Sequence, residues 1–214
     1  MQIILFCFIL YITKNKLLDS RCEMKLDEIG DIKLGIALNR KKADVDVNTK
    51  QRYSVISVKN VEEDGYFNSI PFETFPSTES LPQRYFSEKG DILMRLTDPN
   101  TAVFVSEEQE GLLIPSYFVQ IKIIDKRYLP EYVAWYLNSE ETKRELRKVQ
   151  SGTRVTSTSK KVLGTLEIKE LPVEKQQRIV DLTQLHQEEK VLYKKLIKEK
   201  EKQLAAATAE IMAD

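Results

Sequence analysis

Cysteine and histidine are scarce in this chain of 214 residues, and their scarcity narrows the chemistry open to it. The two cysteines are Cys7 and Cys22, and the single histidine is His186. A disulfide framework is therefore excluded, and the lack of thiols after residue 22 is typical of a protein from a reducing cytosol. The sequence also argues against a zinc site, which usually needs clustered Cys and His ligands.

Recognisable catalytic motifs are missing as well. The seven glycines form no P-loop, no GxGxxG turn and no nucleophile elbow, and no Asn-Pro-Pro-Tyr-like motif for flipping bases is present. Asp91 and Asp98 are carboxylates that a metal pair would need, but both occupy turn positions where Asp is favoured for structural reasons. We therefore interpret the chain as non-catalytic, without a metal or cofactor of its own.

Excess charge of either sign is also lacking, since 33 Lys and Arg residues balance 33 Asp and Glu residues. The charge is nevertheless unevenly distributed. Residues 143–161 carry seven basic side chains against Glu145 alone. Such a cluster suits a polyanion, although the solvated face of a helix can have the same composition.

Long hydrophobic runs are absent except at the N-terminus, where residues 3–12 read IILFCFILYI. About twenty apolar residues are needed to span a membrane, and a signal peptide would carry basic residues before the run. Here Lys14 and Lys16 follow it. We expect residues 1–23 to be a leader or an over-extended gene start ahead of Met24, and the protein to be cytoplasmic and free of membrane.

A run of more than thirty residues without Pro or Gly begins after Pro172 and predicts a long helix. At about 1.5 Å per residue, thirty residues extend roughly 45 Å, more than a small domain. A heptad register through its leucines also includes Glu189 and Glu199, so a coiled coil would have an imperfect seam. The helix either folds back on its own domain or pairs with another chain. The candidate pairing residues are Ile179, Leu182, Leu185, Leu192 and Leu196.

The order of the remaining elements predicts an α+β fold with a mostly antiparallel, β-rich domain. Strands are expected at 53–58, 90–95, 102–105, 111–114 and 117–124, with a turn at Asp64-Gly65 and an irregular segment at 67–86. Helices are expected at 129–137 and 139–149, the second with Leu146 and Val149 inward, and an alternating strand at 163–168. The predicted units are 1–23, a domain at 24–171 and a helical arm at 172–214.

Five short motifs occur in a characteristic order along the chain. They are YSVI at 53–56, GDIL at 90–93, YLNS at 136–139, SGT at 151–153 and LEIKELPVEKQQRI at 166–179. Together they resemble one target-recognition domain and one spacer helix of a type I restriction-modification DNA specificity subunit. The resemblance covers roughly residues 24–205.

The resemblance implies a subunit that reads double-stranded DNA and performs no chemistry itself. Its expected partners are a methyltransferase subunit that carries S-adenosylmethionine and a restriction subunit that uses ATP and Mg. The family usually has two recognition domains and two helices in one chain, whereas this chain has one of each. It resembles a half-length subunit that pairs with a second copy or another half-subunit; a truncated gene product is the alternative.

Candidate DNA-binding residues combine cations for phosphates with polar side chains for base edges. The first group lies in a polar, basic loop predicted at residues 151–161: Ser151, Gly152, Thr153, Arg154, Thr156, Ser157, Thr158, Lys160 and Lys161. The second group is Arg95, Thr97 and Asn100, and further phosphate candidates are Arg84, Arg40 and Lys41. The alternative function is a coiled-coil assembly module without a DNA-reading role.

Overall fold

The computed structural model describes residues 23–38, 49–150 and 158–213. Its strands are β1 Glu23–Lys25, β2 Gly30–Leu34, β3 Gln51–Val55, β4 Glu73–Ser77, β5 Asp91–Arg95, β6 Ala102–Phe104, β7 Phe118–Ile123 and β8 Glu167–Lys169. Its helices are α1 Leu26–Ile29, α2 Pro130–Leu137, α3 Glu140–Gln150, α4 Lys160–Gly164 and α5 Val173–Ala213. Short 3-10 turns occupy Val58–Asn60, Gln83–Tyr85 and Glu107–Gln109.

The central sheet has four antiparallel strands in the order β2-β7-β5-β6. Strand β5 is buried on both faces, with Ile92 and Met94 in the main core and Leu93 in a second cluster with Phe118. This explains its continuous apolar sequence, since alternation is expected only where one face meets water. Two smaller antiparallel pairs, β1-β8 and β3-β4, flank the sheet.

Helix α2 covers the main core and links it to the strand that precedes the long helix. Tyr132, Val133 and Leu137 are fully buried, and the Tyr132 hydroxyl donates a hydrogen bond of 2.8 Å to the Lys169 carbonyl in β8. Burial raises the pKa of the Tyr132 hydroxyl, so that it stays protonated and able to donate.

The predicted fold class is confirmed: antiparallel sheets precede a long C-terminal helix. Four local predictions are corrected. Segment 67–86 contains strand β4, and 111–114 forms only isolated bridges through Leu113. Leu163 lies in helix α4, and Val149 is 54% exposed because the inward side of α3 is taken by Leu146.

Residues 1–22 and 39–48 lie outside the described residues, so the expectation for the leader and the unit boundaries stay predictions. Among the helices of the described ranges, none combines the length and apolar character needed to cross a membrane.

The long helix α5, called the arm from here on, is joined to the domain through one buried side chain. Gln176 has no exposed surface, and its Oε1 accepts a hydrogen bond of 2.8 Å from the Leu129 amide. Its Nε2 donates to the carbonyls of Arg127 and Leu171, both at 2.7 Å. A buried amide with all its partners fixes the angle at which the arm leaves the domain.

The arm has two apolar sides. Ile179 and Val180 pack against the main core, on the same side as Gln176. Leu185 and Leu192 lie nine and sixteen residues after Gln176, which at about 100° per residue places them on the opposite side. The leucines of the predicted pairing stripe are 68%, 62%, 64% and 54% exposed at Leu182, Leu185, Leu192 and Leu196. Ile179 is therefore reassigned from pairing to packing within the chain.

Replacement of Gln176 by Ala should lower the free energy of unfolding by about 2 kcal/mol, because it leaves buried amide and carbonyl groups unpaired. Chemical denaturation at fixed protein concentration measures the change. The control Gln177→Ala alters the exposed neighbour in the same turn and should change stability by less than about 0.5 kcal/mol. Equal losses in both variants would contradict a joint at Gln176.

Candidate nucleic-acid interface

The turn between β5 and β6, residues 95–101, is organised by one asparagine. Asn100 has a φ of 52° and follows a cis peptide bond between Asp98 and Pro99. Its Nδ2 lies 3.2 Å from the Arg95 carbonyl and 3.0 Å from the Leu96 carbonyl. Asn tolerates the left-handed region better than most residues, which suits it to this position.

The same turn also binds Thr158, the first described residue after the 151–157 segment. The Thr158 amide donates a hydrogen bond of 2.7 Å to the Leu96 carbonyl, and Asn100 Nδ2 lies 3.3 Å from Thr158 Oγ1. Two groups of candidate residues, 58 positions apart in sequence at Asn100 and Thr158, therefore meet at the turn that follows β5.

Burial changes the roles of two candidates. Asn100 is 3% exposed and Thr158 is 4% exposed, and their polar atoms face the protein. A direct contact of either side chain with a base edge is therefore corrected to a positioning role. Arg95 and Thr97 are half-buried at the rim of the turn, where Arg95 Nε donates a hydrogen bond of 2.7 Å to Thr97 Oγ1.

Exposed cations lie immediately after Thr158. Lys160 and Lys161 occupy the first turn of α4, which begins after Ser159, whose Oγ accepts a hydrogen bond of 3.3 Å from the Val162 amide. This corrects the sequence interpretation of both lysines as loop residues. Both are exposed to solvent, as a phosphate contact requires.

Arg84 lies near the other end of the sheet. Arg84 and Lys122 border the same small cavity. Lys122 pairs with Asp91 at the start of β5, whereas Arg95 lies at the end of that strand. The Arg84 guanidinium lies 4.8 Å from the centre of the Tyr85 ring and donates to its hydroxyl. The structure thus does not bring Arg84 together with the 95–101 turn.

Eight further candidates lie outside the described residues. They are Arg40, Lys41, Ser151, Gly152, Thr153, Arg154, Thr156 and Ser157. Their proposed roles remain predictions.

Asp91, one of the two carboxylates considered for metal binding, has hydrogen-bond partners within the fold. Asp91 is fully buried, and its Oδ2 accepts hydrogen bonds from the Glu88 amide at 2.7 Å and from Gln120 Nε2 at 2.5 Å. Burial raises the pKa of the Asp91 carboxyl. Within the described ranges, no group of three or more His, Cys, Asp or Glu residues is arranged to hold a metal ion.

Sequence reasoning missed a set of contacts between the arm and the hairpin at residues 61–67. The hairpin turn at Asp64-Gly65 was predicted, but its partner lies about 120 residues away, where no local signal indicates a contact. Three interactions join the two: Tyr66 hydroxyl to Thr183 carbonyl at 3.1 Å, an ion pair of Asp64 with Lys190, and an ion pair of Glu62 with Lys194 at 3.7 Å.

Three solved structures share this fold. The HsdS subunit from Thermoanaerobacter tengcongensis aligns with 18% identity and a TM-score of 0.54, over 79% of this chain and 38% of that one. The type I restriction-modification system S subunit from M. genitalium aligns with 14% identity and a TM-score of 0.51, over 85% and 43%. A chain from a structure of the type I R-M system, solved to explain its assembly and conformational transition, aligns with 16% identity and a TM-score of 0.56, over 81% and 40%.

No family model matches the chain, and no curated protein matches it. At identities below 20%, the structural matches establish a shared fold. The resemblance inferred from the sequence motifs is confirmed at that level. The chain spans about two fifths of the length of the structures that it matches.

The role of Asn100 can be separated into hydrogen bonding and backbone conformation. Asn100→Gly removes the amide but accepts the positive φ, whereas Asn100→Ala removes the amide and is strained there. We expect both variants to lose stability and the Ala variant to lose about 1 kcal/mol more. Urea denaturation of the two variants measures the difference; an Ala variant as stable as the Gly variant would contradict the assignment.

Proposed function

We propose that the protein is a half-length DNA specificity subunit of a type I restriction-modification system. The observation that carries this proposal is the fold shared with about two fifths of the length of such subunits. In this proposal that length corresponds to one recognition domain and one helical arm. In this proposal the chain reads double-stranded DNA and does no chemistry. Partner subunits in the cytoplasm supply adenine methylation with S-adenosylmethionine, and cleavage with ATP and Mg.

The proposed DNA-reading surface is formed by the 95–101 turn and the start of α4. Lys160 and Lys161 would contact phosphates and supply affinity, which carries no sequence information. Arg95 and Thr97, together with the undescribed residues 151–157, would approach base edges. Asn100 and Thr158 would hold these segments in a fixed relation.

The proposed pairing of two copies uses the side of the arm that faces away from the domain. Leu182, Leu185, Leu192 and Leu196 are exposed along that side, and large exposed apolar stripes mark interaction surfaces. Two arms packed through this stripe in antiparallel orientation would place one domain at each end. A methyltransferase subunit would dock on the assembled arms.

Two symmetric readers imply a symmetric target, with inverted half-sites separated by a fixed gap. Methylome sequencing of cells that carry the gene and its partner methyltransferase should therefore show an interrupted palindrome. Leu185→Lys with Leu192→Lys places charges in the seam and should abolish both the dimer, measured by light scattering, and the motif. The control Ile124→Lys changes an apolar residue that is 65% exposed on the domain, beyond the other end of β7, and should leave the dimer and the motif unchanged. A methylated motif without symmetry would contradict homodimer pairing.

Phosphate contacts can be counted by their salt dependence. Each lysine that neutralises a phosphate contributes about 0.9 to the slope of log K against log salt. Lys160→Ala with Lys161→Ala should therefore reduce the slope by about 2 in binding assays at several salt concentrations. The control Lys195→Ala with Lys198→Ala removes two exposed cations from the distal arm and should leave the slope unchanged. An absence of DNA binding by the wild-type chain with its methyltransferase would favour the assembly-module alternative.

A further inference from the structure

The 61–67 hairpin packs closely against the rest of the domain. Gly65 adopts a φ of 86°, and a Cβ at this position would lie 2.3 Å from Asn138 Nδ2 and 2.7 Å from the Ala102 carbonyl oxygen. Asn138 in turn donates to that carbonyl at 2.7 Å and accepts from the Ala102 amide at 2.9 Å. The tip of the hairpin thus lies in close contact with β6, the edge strand of the central sheet.

The opposite side of the hairpin meets the arm. Asp64 and Lys190 form an ion pair in which only about one third of each side chain is exposed, and the hydrogen bond from Lys190 to Asp64 raises the pKa of the lysine. The Tyr66 hydroxyl donates to the Thr183 carbonyl, one of the backbone groups of the arm itself. The hairpin therefore connects the sheet to the arm.

The arm is held at two places along its first half. The first support is the joint at Gln176. The second is the hairpin, which contacts the arm from Thr183 to Lys194 and has its less exposed ion pair at Lys190. At about 1.5 Å per residue, the two supports are about 21 Å apart. A cavity of about 570 Å³ lies beside the arm over this stretch, lined by Trp135, Phe104, Val180 and Gln187. The hairpin therefore supports the arm beyond the point where Gln176 and the packing of Ile179 and Val180 hold it to the domain.

We propose that the 61–67 hairpin is a strut that sets the gap between the two DNA half-sites by fixing the direction of the arm. This inference rests on the proposed function. The tip of the arm lies about 56 Å from Gln176, so a shift of about 1 Å at Lys190 moves the tip by about 2.6 Å. A tip shift of this size is comparable with the rise of about 3.4 Å per base pair, so it can displace the partner's domain relative to its half-site.

The test removes two of the three contacts between the hairpin and the arm and leaves the proposed reading surface unaltered. Tyr66→Phe with Asp64→Asn deletes the hydrogen bond and the ion pair while conserving shape. The matched control is Tyr117→Phe with Glu73→Gln, which removes a tyrosine hydroxyl that donates to the Ile56 carbonyl at 3.2 Å and a carboxylate paired with Lys59 at 3.5 Å, neither of them on the arm.

The first readout uses duplexes whose two half-sites are separated by the native gap or by one base pair more or less. The wild type and the control should prefer the native gap. The strut variant should lose about fivefold of that preference, the factor that corresponds to one ordinary hydrogen bond. Its affinity for a duplex with a single half-site should stay unchanged. A strut variant that keeps the full gap preference would overturn the proposal.

The second readout does not depend on DNA. Spin labels at Glu110→Cys and Ala206→Cys, in a chain with Cys7 and Cys22 replaced by Ser and diluted with unlabelled protein, report the distance from domain to arm. The strut variant should show a broader or shifted distribution than the control. An unchanged distribution refutes the strut even if DNA binding fails, whereas a changed distribution without DNA binding would retain the strut and refute the proposed function.

Discussion

The structure depends on the buried amide of Gln176. After strand β8 and Leu171-Pro172, the chain begins a helix of 41 residues. The distal half of this helix does not contribute to holding its first turns against the domain. A glutamine side chain offers one acceptor and two donors, and Gln176 uses all of them on the backbone of the segments before α2 and α5. An apolar residue in its place would leave these backbone groups unpaired, each at a cost of about 1–3 kcal/mol.

Because one side of the arm is attached to the domain, the leucines on its opposite side are exposed and available for pairing. Because Gln176 and Val180 face the domain, the leucines on the far side remain in water. Full burial of a leucine is worth about 1.5–3 kcal/mol, and each of the four is already partly covered, so a pair of arms would gain roughly 8–16 kcal/mol. Association itself costs about 4–15 kcal/mol, so this seam alone gives a modest dimer. The exposed Ile197, Leu204 and Ile211 provide further area for the partner arm or another subunit.

Patterns that repeat along the chain were predictable, and contacts between distant segments were not. The period of the arm and the apolar strands β5 and β7 are local signals. Strand β4 was missed because Pro76 interrupts its pattern, which a two-stranded pair tolerates at its edge. Asn100 was interpreted as a base-reading residue because a polar residue in a turn is usually exposed. Only the fold shows that Leu96 and Thr158 surround it.

In the candidate interface, the residues that position the two segments differ from the residues that would contact DNA. Asn100 and Thr158 are buried and bind backbone or each other, whereas Lys160 and Lys161 project into solvent from the same junction. A change in the buried pair alters the position of two segments at once, so it disturbs every contact that they make. A change in an exposed side chain alters one contact only. In the proposed function, the exposed positions can therefore change while the junction that supports them stays the same.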